Sequence, residues 1–339
     1  KRACWRSWLN PATNPVNESW RSSESHGALL VRAEVYRYIR EFFFARNVLE
    51  VETPILSSAG NTDPNIESLQ LEFNGPGSAG NPQRWLRTSP EFPLKRLLAC
   101  GIGDCYELGK VFRNGEYGRR HNPEFTMLEW YRVGWDHRRL IAECVELVIG
   151  LFALKGKTLE ISQCSYRDLF IAGAGVDPFA DSEQYLRAAV SARTEMDLHS
   201  LTRDDLLDIL LTHAIEPDMP ADRLTVIYDF PASPCALARI RDGEQPVAER
   251  FELYVGAIEL ANGYHELNDA GEQRRRFNGD LHRRRQRGGM LPAIDDNLLA
   301  ALPDLPDCAG VAMGVDRLLM SLLPAETLAE AVAFDFSRA

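Results

Sequence analysis

Arginine, carboxylate and phenol side chains are concentrated in one predicted hairpin. Strand-like patterns at 104–113 and 124–132 flank a polar loop. Glu129 and Tyr131 are two residues apart, so they share one face of the second strand. With Arg113 on that face, the patch suits a substrate that carries both phosphate and ammonium groups. The alternative is a surface hairpin with cross-strand ion pairs.

Three glutamates recur at intervals of seven residues, as Glu252, Glu259 and Glu266. This spacing also fits one solvated stripe of a helix. However, the run 262–264 (Asn-Gly-Tyr) interrupts a helix, and the flanking Tyr, Val and Ile residues favour strands. On paired strands the carboxylates can converge on Mg²⁺ or on a buried ammonium. A buried unpaired carboxylate is costly, so we expect a cationic partner.

Small residues precede an arginine in the run 310–317, Gly-Val-Ala-Met-Gly-Val-Asp-Arg. Small side chains let a ligand approach the backbone closely. A strand near 309–313 that continues into a helix at 315–323 places Arg317 in the first helical turn. A cation there opposes the helix dipole unless an anion lies nearby. Arg317 is therefore a candidate phosphate ligand, and the alternative is an arginine that points into solvent.

Two helices are predicted ahead of these motifs. The first has four hydrophobic residues at helical spacing, Val31, Val35, Tyr38 and Phe42, and a strand at 48–51 follows it and stops before Pro54. The second opens with Ser89 as N-cap and Pro90 as first residue, and its apolar face is formed by Leu94, Leu97 and Leu98.

Strand pairs joined by loops, with helices before and between them, predict an α+β fold with an antiparallel sheet flanked by helices. A further helix is predicted near 136–153 and a helical insertion at 157–225, and strand patterns return at 225–230 and 250–267. Residues 1–27 are polar and irregular. The chain has no Walker-type loop, and its single Gly-x-Gly-x-x-Gly run, at 75–80, lies in a segment that is a loop by composition, so a nucleotide must be held by other means.

Composition narrows the function further. The 339 residues are 45% hydrophobic, enough for a large core, and the net charge of −11 disfavours extensive nucleic-acid binding. Six arginines between 274 and 285 form either a local basic patch or a solvated helix face. The seven cysteines are scattered, which indicates reduced thiols in a cytoplasmic protein without structural zinc. No apolar run approaches the ~20 residues that cross a membrane.

The three motifs together resemble the signature motifs of class II aminoacyl-tRNA synthetases. The first helix and the strand before Pro54 resemble motif 1, which implies a homodimer. Residues 111–131 resemble motif 2, and residues 314–317 resemble motif 3. Within the class, residues 120–127 and 259–267 resemble lysyl-tRNA synthetases. The resemblance covers about residues 28–339, which implies one catalytic domain with the class II fold.

A narrower resemblance concerns the acceptor. Lysyl-tRNA synthetases carry an anticodon-binding barrel, and the 27 residues before motif 1 are below the ~50 residues of a small domain, so we expect no barrel and no tRNA. Residues 88–91, 95–98, 128–131 and 247–252 resemble the elongation factor P–(R)-β-lysine ligases, paralogues of lysyl-tRNA synthetase. This implies that ATP and Mg²⁺ are used to activate (R)-β-lysine, which is then transferred to a lysine of elongation factor P. The alternatives are a truncated lysyl-tRNA synthetase-like enzyme with another acceptor and a catalytically dead regulatory paralogue.

The resemblance also implies residue roles. The residues implied to hold ATP are Arg113, Asn114, Gly115, Asn122, Glu259, Leu260, Gly314 and Arg317, and of these Arg113 and Arg317 are implied to be catalytic. The metal ligands are Glu252 and Glu259. The amino-acid pocket is implied to comprise Ser89, Pro90, Glu91, Glu129, Tyr131, Glu266 and Ala312, with Tyr131 and Glu266 facing the terminal ammonium of the substrate.

Two positions depart from the pattern. The family motif reads Arg-Asn-Glu, whereas this chain has Arg-Asn-Gly-Glu at 113–116. Gly115 therefore replaces the glutamate that helps to read adenine, and Glu116 takes that role only if the loop shifts by one residue. Ala312 stands where lysyl-tRNA synthetases have glycine. Its methyl group would narrow the pocket in favour of a β-amino acid, with a discrimination of ~1–3 kcal/mol.

Overall fold

The computed structural model describes residue 22 and residues 26–76, 81–233, 237–323 and 325–339. The predicted irregular segment 1–27 therefore lies almost entirely outside the described residues. Within them, no helix has both the length and the apolar character needed to cross a membrane.

A nine-stranded sheet forms the centre of the described residues, in the order β1-β5-β6-β12-β11-β10-β8-β7, with β9 paired to β10. The pairs β1–β5 and β7–β8 are parallel and the others are antiparallel. The predicted α+β architecture is therefore confirmed. The strands of this sheet are β1 (Leu49–Glu50), β5 (Cys105–Phe112), β6 (Glu124–Val133), β7 (Glu160–Ser165), β8 (Arg223–Pro231), β9 (Ile240–Arg241), β10 (Val247–Val255), β11 (Ile258–His265) and β12 (Cys308–Gly314).

Helices cover this sheet, and a second sheet of three strands lies beside it. The small sheet has the order β2-β4-β3 and comprises β2 (Leu56–Ser57), β3 (Gln70–Glu72) and β4 (Gln83–Leu86). The α-helices are α1 (His26–Phe44), α2 (Glu91–Ala99), α3 (His137–Ala153), α4 (Tyr166–Ala174), α5 (Glu183–Ser191), α6 (Arg203–Leu210), α7 (Ala270–Gln286), α8 (Asp296–Ala301) and α9 (Val315–Leu322).

The largest hydrophobic core lies between the main sheet and the helices α1, α3 and α9. The predicted face of α1 is buried there: Val35 is 2% exposed, and Phe43 stacks on Tyr106 of β5 with ring centroids 4.4 Å apart. Trp130 of β6 is fully buried and donates its indole N–H to Glu143 of α3 at 3.1 Å. Helix α1 thus packs its hydrophobic residues against one face of the main sheet, and the opposite face is available for a binding site.

The predicted helical insertion at 157–225 is only partly helical. It contains α4, α5 and α6, but it opens with strand β7, which pairs in parallel with β8 and extends the main sheet. A parallel connection needs a crossover, and these helices supply it. They bury a separate core in which Tyr166 and Phe170 stack at 4.2 Å. The segment is therefore integrated into the sheet.

The predicted cap of α2 was wrong by one residue. The N-cap position belongs to Pro90, and no side chain caps it. The Ser89 hydroxyl instead accepts a hydrogen bond from the Glu91 N–H at 2.9 Å and donates one to Glu129 at 2.7 Å. Ser89 therefore connects the start of the helix to the sheet.

The arginine-rich segment forms helix α7, in line with the interpretation as a helix face. However, its arginines are largely paired with carboxylates, and one of them is buried. Arg284 is 2% exposed and donates to the carbonyls of Thr62, Asp63 and Ile66. Arg284 also pairs with the Glu67 carboxylate at 2.7 Å. The interpretation as a purely solvated face is wrong for Arg284, which fastens the loop before β3 to the helix.

Candidate active site

A cavity of about 230 Å³ opens on the face of the main sheet that the α1–α3 core does not cover. Strands β6, β11 and β12 form its floor, and the loop before β3 closes one side. Most of the residues predicted for the site line this one cavity: Ser89, Glu91, Arg113, Asn122, Glu129, Tyr131, Glu259, Leu260, Glu266, Ala312, Gly314 and Arg317. Pro90, Asn114, Gly115 and Glu252 are not among the lining residues.

Glycine and alanine on β12 make the floor deep. Gly310 lies opposite Tyr131 of β6, and Ala312 lies opposite Glu129. A Cβ at Gly310 would come within 2.2 Å of the Tyr131 ring and 2.5 Å of Glu266 Oε1. Such distances are far below van der Waals contact, so glycine is required for Tyr131 and Glu266 to converge here.

Arginines and a histidine form one end of the cavity. Arg317 Nη1 lies 3.2 Å from Glu259, and its Nη2 lies 2.6 Å from Nε2 of His121. An arginine only donates hydrogen bonds, so that imidazole nitrogen accepts. Burial, reinforced by the charge of Arg317, lowers the pKa of His121. The imidazole is therefore neutral, and the positive charge of this end resides on arginines.

Arg113 lies at the same end of the cavity, and its guanidinium has hydrogen-bond donors available for a ligand. Its guanidinium is 5.2 Å from the centroid of the Phe125 ring, and its ion pair with Glu116 is long, at 3.6 Å. Its Nε is buried and has no hydrogen-bond partner within the described residues. An unsatisfied buried donor on a cation favours an anionic ligand.

Buried Asp316 fixes the position of Arg317. Asp316 is 2% exposed and accepts bonds from Arg32 of α1 at 2.5 Å and from the Thr126 N–H of β6 at 2.8 Å. It therefore ties α9 to both α1 and β6. The next residue, Arg317, is held at the mouth of the cavity as a result.

Carboxylates dominate the other end of the cavity. Glu129 is 2% exposed and accepts bonds from Ser89 at 2.7 Å and Tyr131 at 2.8 Å. Glu266 is equally buried and pairs with Lys95 Nζ at 2.6 Å. Lys95 also pairs with Glu91 at 2.5 Å and is itself 1% exposed. Two carboxylates thus hold one lysine, and a third, Glu129, lies in the same end of the cavity.

The carboxylate end of the cavity contains more acidic than basic side chains. Burial, reinforced by the charge of Glu91, raises the pKa of Glu129 to about 8. Burial also raises the pKa of Glu266 to about 7, although Lys95 opposes the shift. A cation bound beside these groups would favour their ionised forms. The carboxylate end of the cavity is therefore suited to a ligand with an ammonium group.

A third group of carboxylates lies along β10 and β11. Burial raises the pKa of Glu252 against the opposing charge of Arg250. Burial, with the charges of Glu259 and Glu252, raises the pKa of Glu216 to about 7. Glu216 follows a single π-helical turn at Leu211–Ile215, a feature that is frequent at functional sites.

Two of the residues with predicted roles lie outside the cavity lining, and their roles stay predictions. Glu252 was predicted to face the ligand as a metal carboxylate, but Arg250 and Tyr254 hold its two oxygens, the latter at 2.8 Å, and it does not line the cavity. Gly115 was predicted to contact ATP, and it lies in a turn with φ of 80° next to the cavity lining. Glu116 lines the cavity in its place, because the extra residue in the loop advances the carboxylate by one position.

Asn122 and Asn114 are held by the chain itself. The Asn122 amide donates to the Glu124 carbonyl at 2.7 Å and accepts from the Phe336 N–H at 3.0 Å, so it fastens the C-terminal segment beside the cavity. The Asn114 N–H donates to the Glu67 carbonyl at 2.8 Å. Their roles in holding ATP stay predictions.

The sequence interpretation missed four residues of this region. Lys95 and His121 were only parts of longer motif matches, and Glu216 was in a segment without assigned chemistry. Asp316 was quoted only within the run at 310–317. The signal for Asp316 was its position before a candidate phosphate arginine. Lys95 gave no comparable signal, because its partner Glu266 is distant in sequence.

The comparison with protein families agrees with this geometry. A family model for class II tRNA synthetases (D, K and N) matches residues 14–338, nearly the whole chain. Enzymes of this family activate amino acids with ATP, generally with Mg²⁺, and the cavity combines arginines for an anion with carboxylates for a cation. The chain therefore belongs to the class II tRNA synthetases of the D, K and N group.

Proposed function

We propose that the protein is an ATP-dependent ligase that activates (R)-β-lysine as an adenylate and transfers it to the ε-amine of a lysine of elongation factor P. The observation that carries the amino-acid part is the charge of one cavity, which has arginines at one end and buried carboxylates at the other. A lysine isomer has a carboxylate to be joined to ATP and a side-chain ammonium to be recognised. The two ends of the cavity match these two groups.

The first step would join the amino-acid carboxylate to the α-phosphorus of ATP and release pyrophosphate. Negative charge spreads over the phosphoryl oxygens as the new bond forms, so catalysis consists of positioning and neutralising that charge. Arg113 would neutralise the α-phosphate, and one donor would be its Nε, which has no partner in the described part of the chain. Arg317 would bind the γ-phosphate, with the neutral His121 holding its guanidinium in place.

We propose that Glu252 and Glu259, with Glu216 near them, would hold Mg²⁺ after their side chains rearrange, because as they stand the three do not form a metal-binding group. Their mutual repulsion contributes to the raised pKa values of Glu252 and Glu216, and hard oxygen donors are the ligands that Mg²⁺ prefers. Bound there, Mg²⁺ would neutralise phosphate oxygens. Glu252 and Glu259 would first exchange their partners Arg250 and Arg317, which would release Arg317 toward the phosphates.

The second step would be aminolysis of the mixed anhydride by a lysine ε-amine, with release of AMP. It forms an amide and needs no covalent enzyme intermediate. Elongation factor P as the acceptor rests on the resemblance in residues 88–91, 95–98, 128–131 and 247–252. The net charge of −11 supports a protein acceptor over tRNA. A homodimer through α1 and β1 rests on the motif 1 resemblance.

The deciding experiment is mass spectrometry of elongation factor P after incubation with the enzyme, ATP and each lysine isomer separately. We expect a mass increase of one lysyl group with (R)-β-lysine and little with α-lysine. A parallel incubation with tRNA tests the truncated synthetase alternative, which would yield charged tRNA. Pyrophosphate exchange tests the first step alone, and absence of exchange with every lysine isomer would contradict the proposed activation chemistry and support the inactive paralogue.

The buried glutamates predict a pH dependence of substrate binding. Glu129 and Glu266, with pKa values of about 8 and about 7 in the free enzyme, carry protons at pH 6. A bound ammonium favours the ionised carboxylates, so binding releases protons and strengthens as pH rises from 6 to 8. We expect the Kd for the amino acid to fall by up to about tenfold per pH unit for each group. Calorimetry in buffers of different ionisation enthalpy measures the proton release.

The variant Glu129→Gln is the control for this pH dependence. It keeps an oxygen that can accept from Ser89 or Tyr131 but removes the titrating group. The pH dependence of its Kd should lose the component near pH 8. Proton uptake on binding by the unsubstituted enzyme would contradict the ammonium site.

We expect the side chain of Ala312 to influence which lysine isomer the enzyme prefers. Its methyl group lies on the cavity floor opposite Glu129, and the variant Ala312→Gly would open room beside the amino-acid backbone. We expect the ratio of kcat/KM for (R)-β-lysine over α-lysine to fall by roughly 10–100-fold. Pyrophosphate exchange with each isomer measures the ratio. An unchanged ratio would remove Ala312 as a specificity determinant.

We expect the side chain of Glu116 to contribute to ATP binding. It lines the cavity beside Arg113, where the family motif has its adenine-reading glutamate one position earlier. We expect Glu116→Ala to raise the KM for ATP by roughly tenfold, since a hydrogen bond to a charged group is worth about 1.5–3 kcal/mol. Glu124→Ala, in the same hairpin but outside the cavity lining, is the control and should leave the KM for ATP unchanged.

A further inference from the structure

Two histidines and a glutamate converge on the far side of the sheet from the cavity. Ligand atoms of His137, Glu249 and His265 all lie within 4.8 Å of one another. His265 immediately precedes Glu266, and successive residues of an extended strand point to opposite faces. The cluster therefore lies behind the amino-acid end of the cavity, where α3 begins against β10 and β11.

His137 is a buried histidine with only a weak polar partner among the described residues. It is 2% exposed, and within the described residues neither ring nitrogen has a hydrogen-bond partner. Its Nε2 lies 3.5 Å from Asp229 Oδ1, an oxygen that also lacks a hydrogen-bond partner there. Buried polar groups in native proteins are almost always satisfied, and the long contact with Asp229 leaves this imidazole available to a further ligand.

His265 has the arrangement of a metal-binding histidine. Its Nδ1 lies 2.5 Å from Glu249 Oε2, inside the cluster, and its Nε2 lies 3.0 Å from Asp307. A histidine that ligates a metal through one nitrogen commonly bonds a carboxylate through the other, which fixes the ring orientation. The two imidazole rings lie 24° from parallel, with centroids 6.5 Å apart.

Charge in the cluster argues for a ligand that uses the imidazoles. Arg138 and Arg241 pair with Asp229, and Arg241 also pairs with Glu249. Arg239 pairs with Asp307. Three arginines thus balance three carboxylates, so the charge balance of the cluster does not depend on the two imidazoles. Neutral imidazole is a ligand for first-row transition metals and contributes little to Mg²⁺ or Ca²⁺ sites.

We propose that His137, Glu249 and His265 form a second cation site, selective for a first-row divalent metal such as Zn²⁺, behind the substrate pocket. Two imidazoles and one carboxylate are a donor set that Zn²⁺ uses. Zinc bonds of about 2.1 Å hold ligand atoms about 3.4 Å apart, so the Glu249–His265 contact opens by about 0.9 Å when the ion binds. The ion fixes the end of β11 and with it Glu266. This site is independent of the proposed ligase activity.

The test is equilibrium dialysis of chelator-treated protein against Zn²⁺ in excess Mg²⁺, with metal analysis. We expect one equivalent of Zn²⁺ that excess Mg²⁺ does not displace. His137→Ala should weaken Zn²⁺ binding by at least roughly tenfold, while His282→Ala, an exposed histidine on α7, should leave it unchanged. Glu259→Gln, in the catalytic carboxylate group, should also leave it unchanged.

X-ray absorption of the zinc-loaded unsubstituted protein gives a second measurement that needs no variant. We expect the scattering pattern of two imidazoles in the first coordination shell. Failure to bind Zn²⁺ in excess Mg²⁺, equal binding by His137→Ala, or a coordination shell without imidazole would each overturn the proposal. Circular dichroism of His137→Ala confirms its fold, and if that variant does not fold, the absorption spectrum decides.

Discussion

Replacing Arg113 with alanine is expected to lower ATP–pyrophosphate exchange by roughly 10²–10³-fold, the loss seen when one donor to a developing negative charge is removed. Arg113 lines the cavity, and its buried Nε has no hydrogen-bond partner within the described residues, so its donor capacity is directed at a ligand. Its ion pair with Glu116 at 3.6 Å is long and partly exposed. Such pairs contribute about 0–1 kcal/mol, so the free energy of unfolding should change little.

The matched control for Arg113→Ala is Arg119→Ala. Arg119 is in the same hairpin loop, but it is largely exposed and pairs with Glu326 at 3.4 Å outside the cavity. Its variant should keep full exchange activity. Arg113→Lys separates charge from geometry, because lysine retains the charge and loses the planar, forked arrangement of donors. We expect partial rescue by lysine. Equal losses in Arg113→Ala and Arg119→Ala would show that the loop, and not the guanidinium, carries the effect.

Local patterns explain which parts of this fold the sequence predicted. The helical spacing of Val31, Val35 and Phe42 identified α1, because a helix buries residues of one period against a core. The hairpin β5–β6 followed from two strand patterns around a polar loop. Both elements depend on neighbours in sequence. The same holds for Gly310 and Ala312, whose small size already indicated a close approach to the backbone.

Long-range contacts explain what the sequence did not predict. Strand β7 lay within an apparently helical segment and became visible only through its pairing with β8. Glu252 was assigned correctly to a strand pair, but its ion pair with Arg250, two residues away on the same face, was not predicted. The burial of Lys95 depends on its ion pair with Glu266, which directly follows β11 in the chain. No spacing rule links residues that far apart, so the charge balance of the pocket required the structure.

Lys95→Met is expected to destabilise the protein by about 3–5 kcal/mol at neutral pH and above, the cost of leaving a buried charge without its partner. Lys95 is 1% exposed between Glu91 and Glu266. Without the ammonium, the pKa of Glu266 rises further above its unfolded value, so the folded state retains a proton that the unfolded state releases. Stability then falls as pH rises, and the loss should be larger at pH 9 than at pH 6. Urea unfolding at both pH values measures it.

A double variant distinguishes an unpaired charge from a simple loss of packing. Lys95→Met/Glu266→Gln removes the stranded carboxylate, so it should recover much of the lost free energy of unfolding, whereas a packing defect would be additive. The control Lys110→Met breaks a Lys–Glu pair of 3.2 Å whose side chains are about half exposed, and should cost at most about 1 kcal/mol. Additive losses in the double variant would contradict the role assigned to Lys95. If the recovery is seen, Lys95 neutralises part of an acidic pocket, and the remaining negative charge of Glu91, Glu129 and Glu266 is what selects a substrate ammonium.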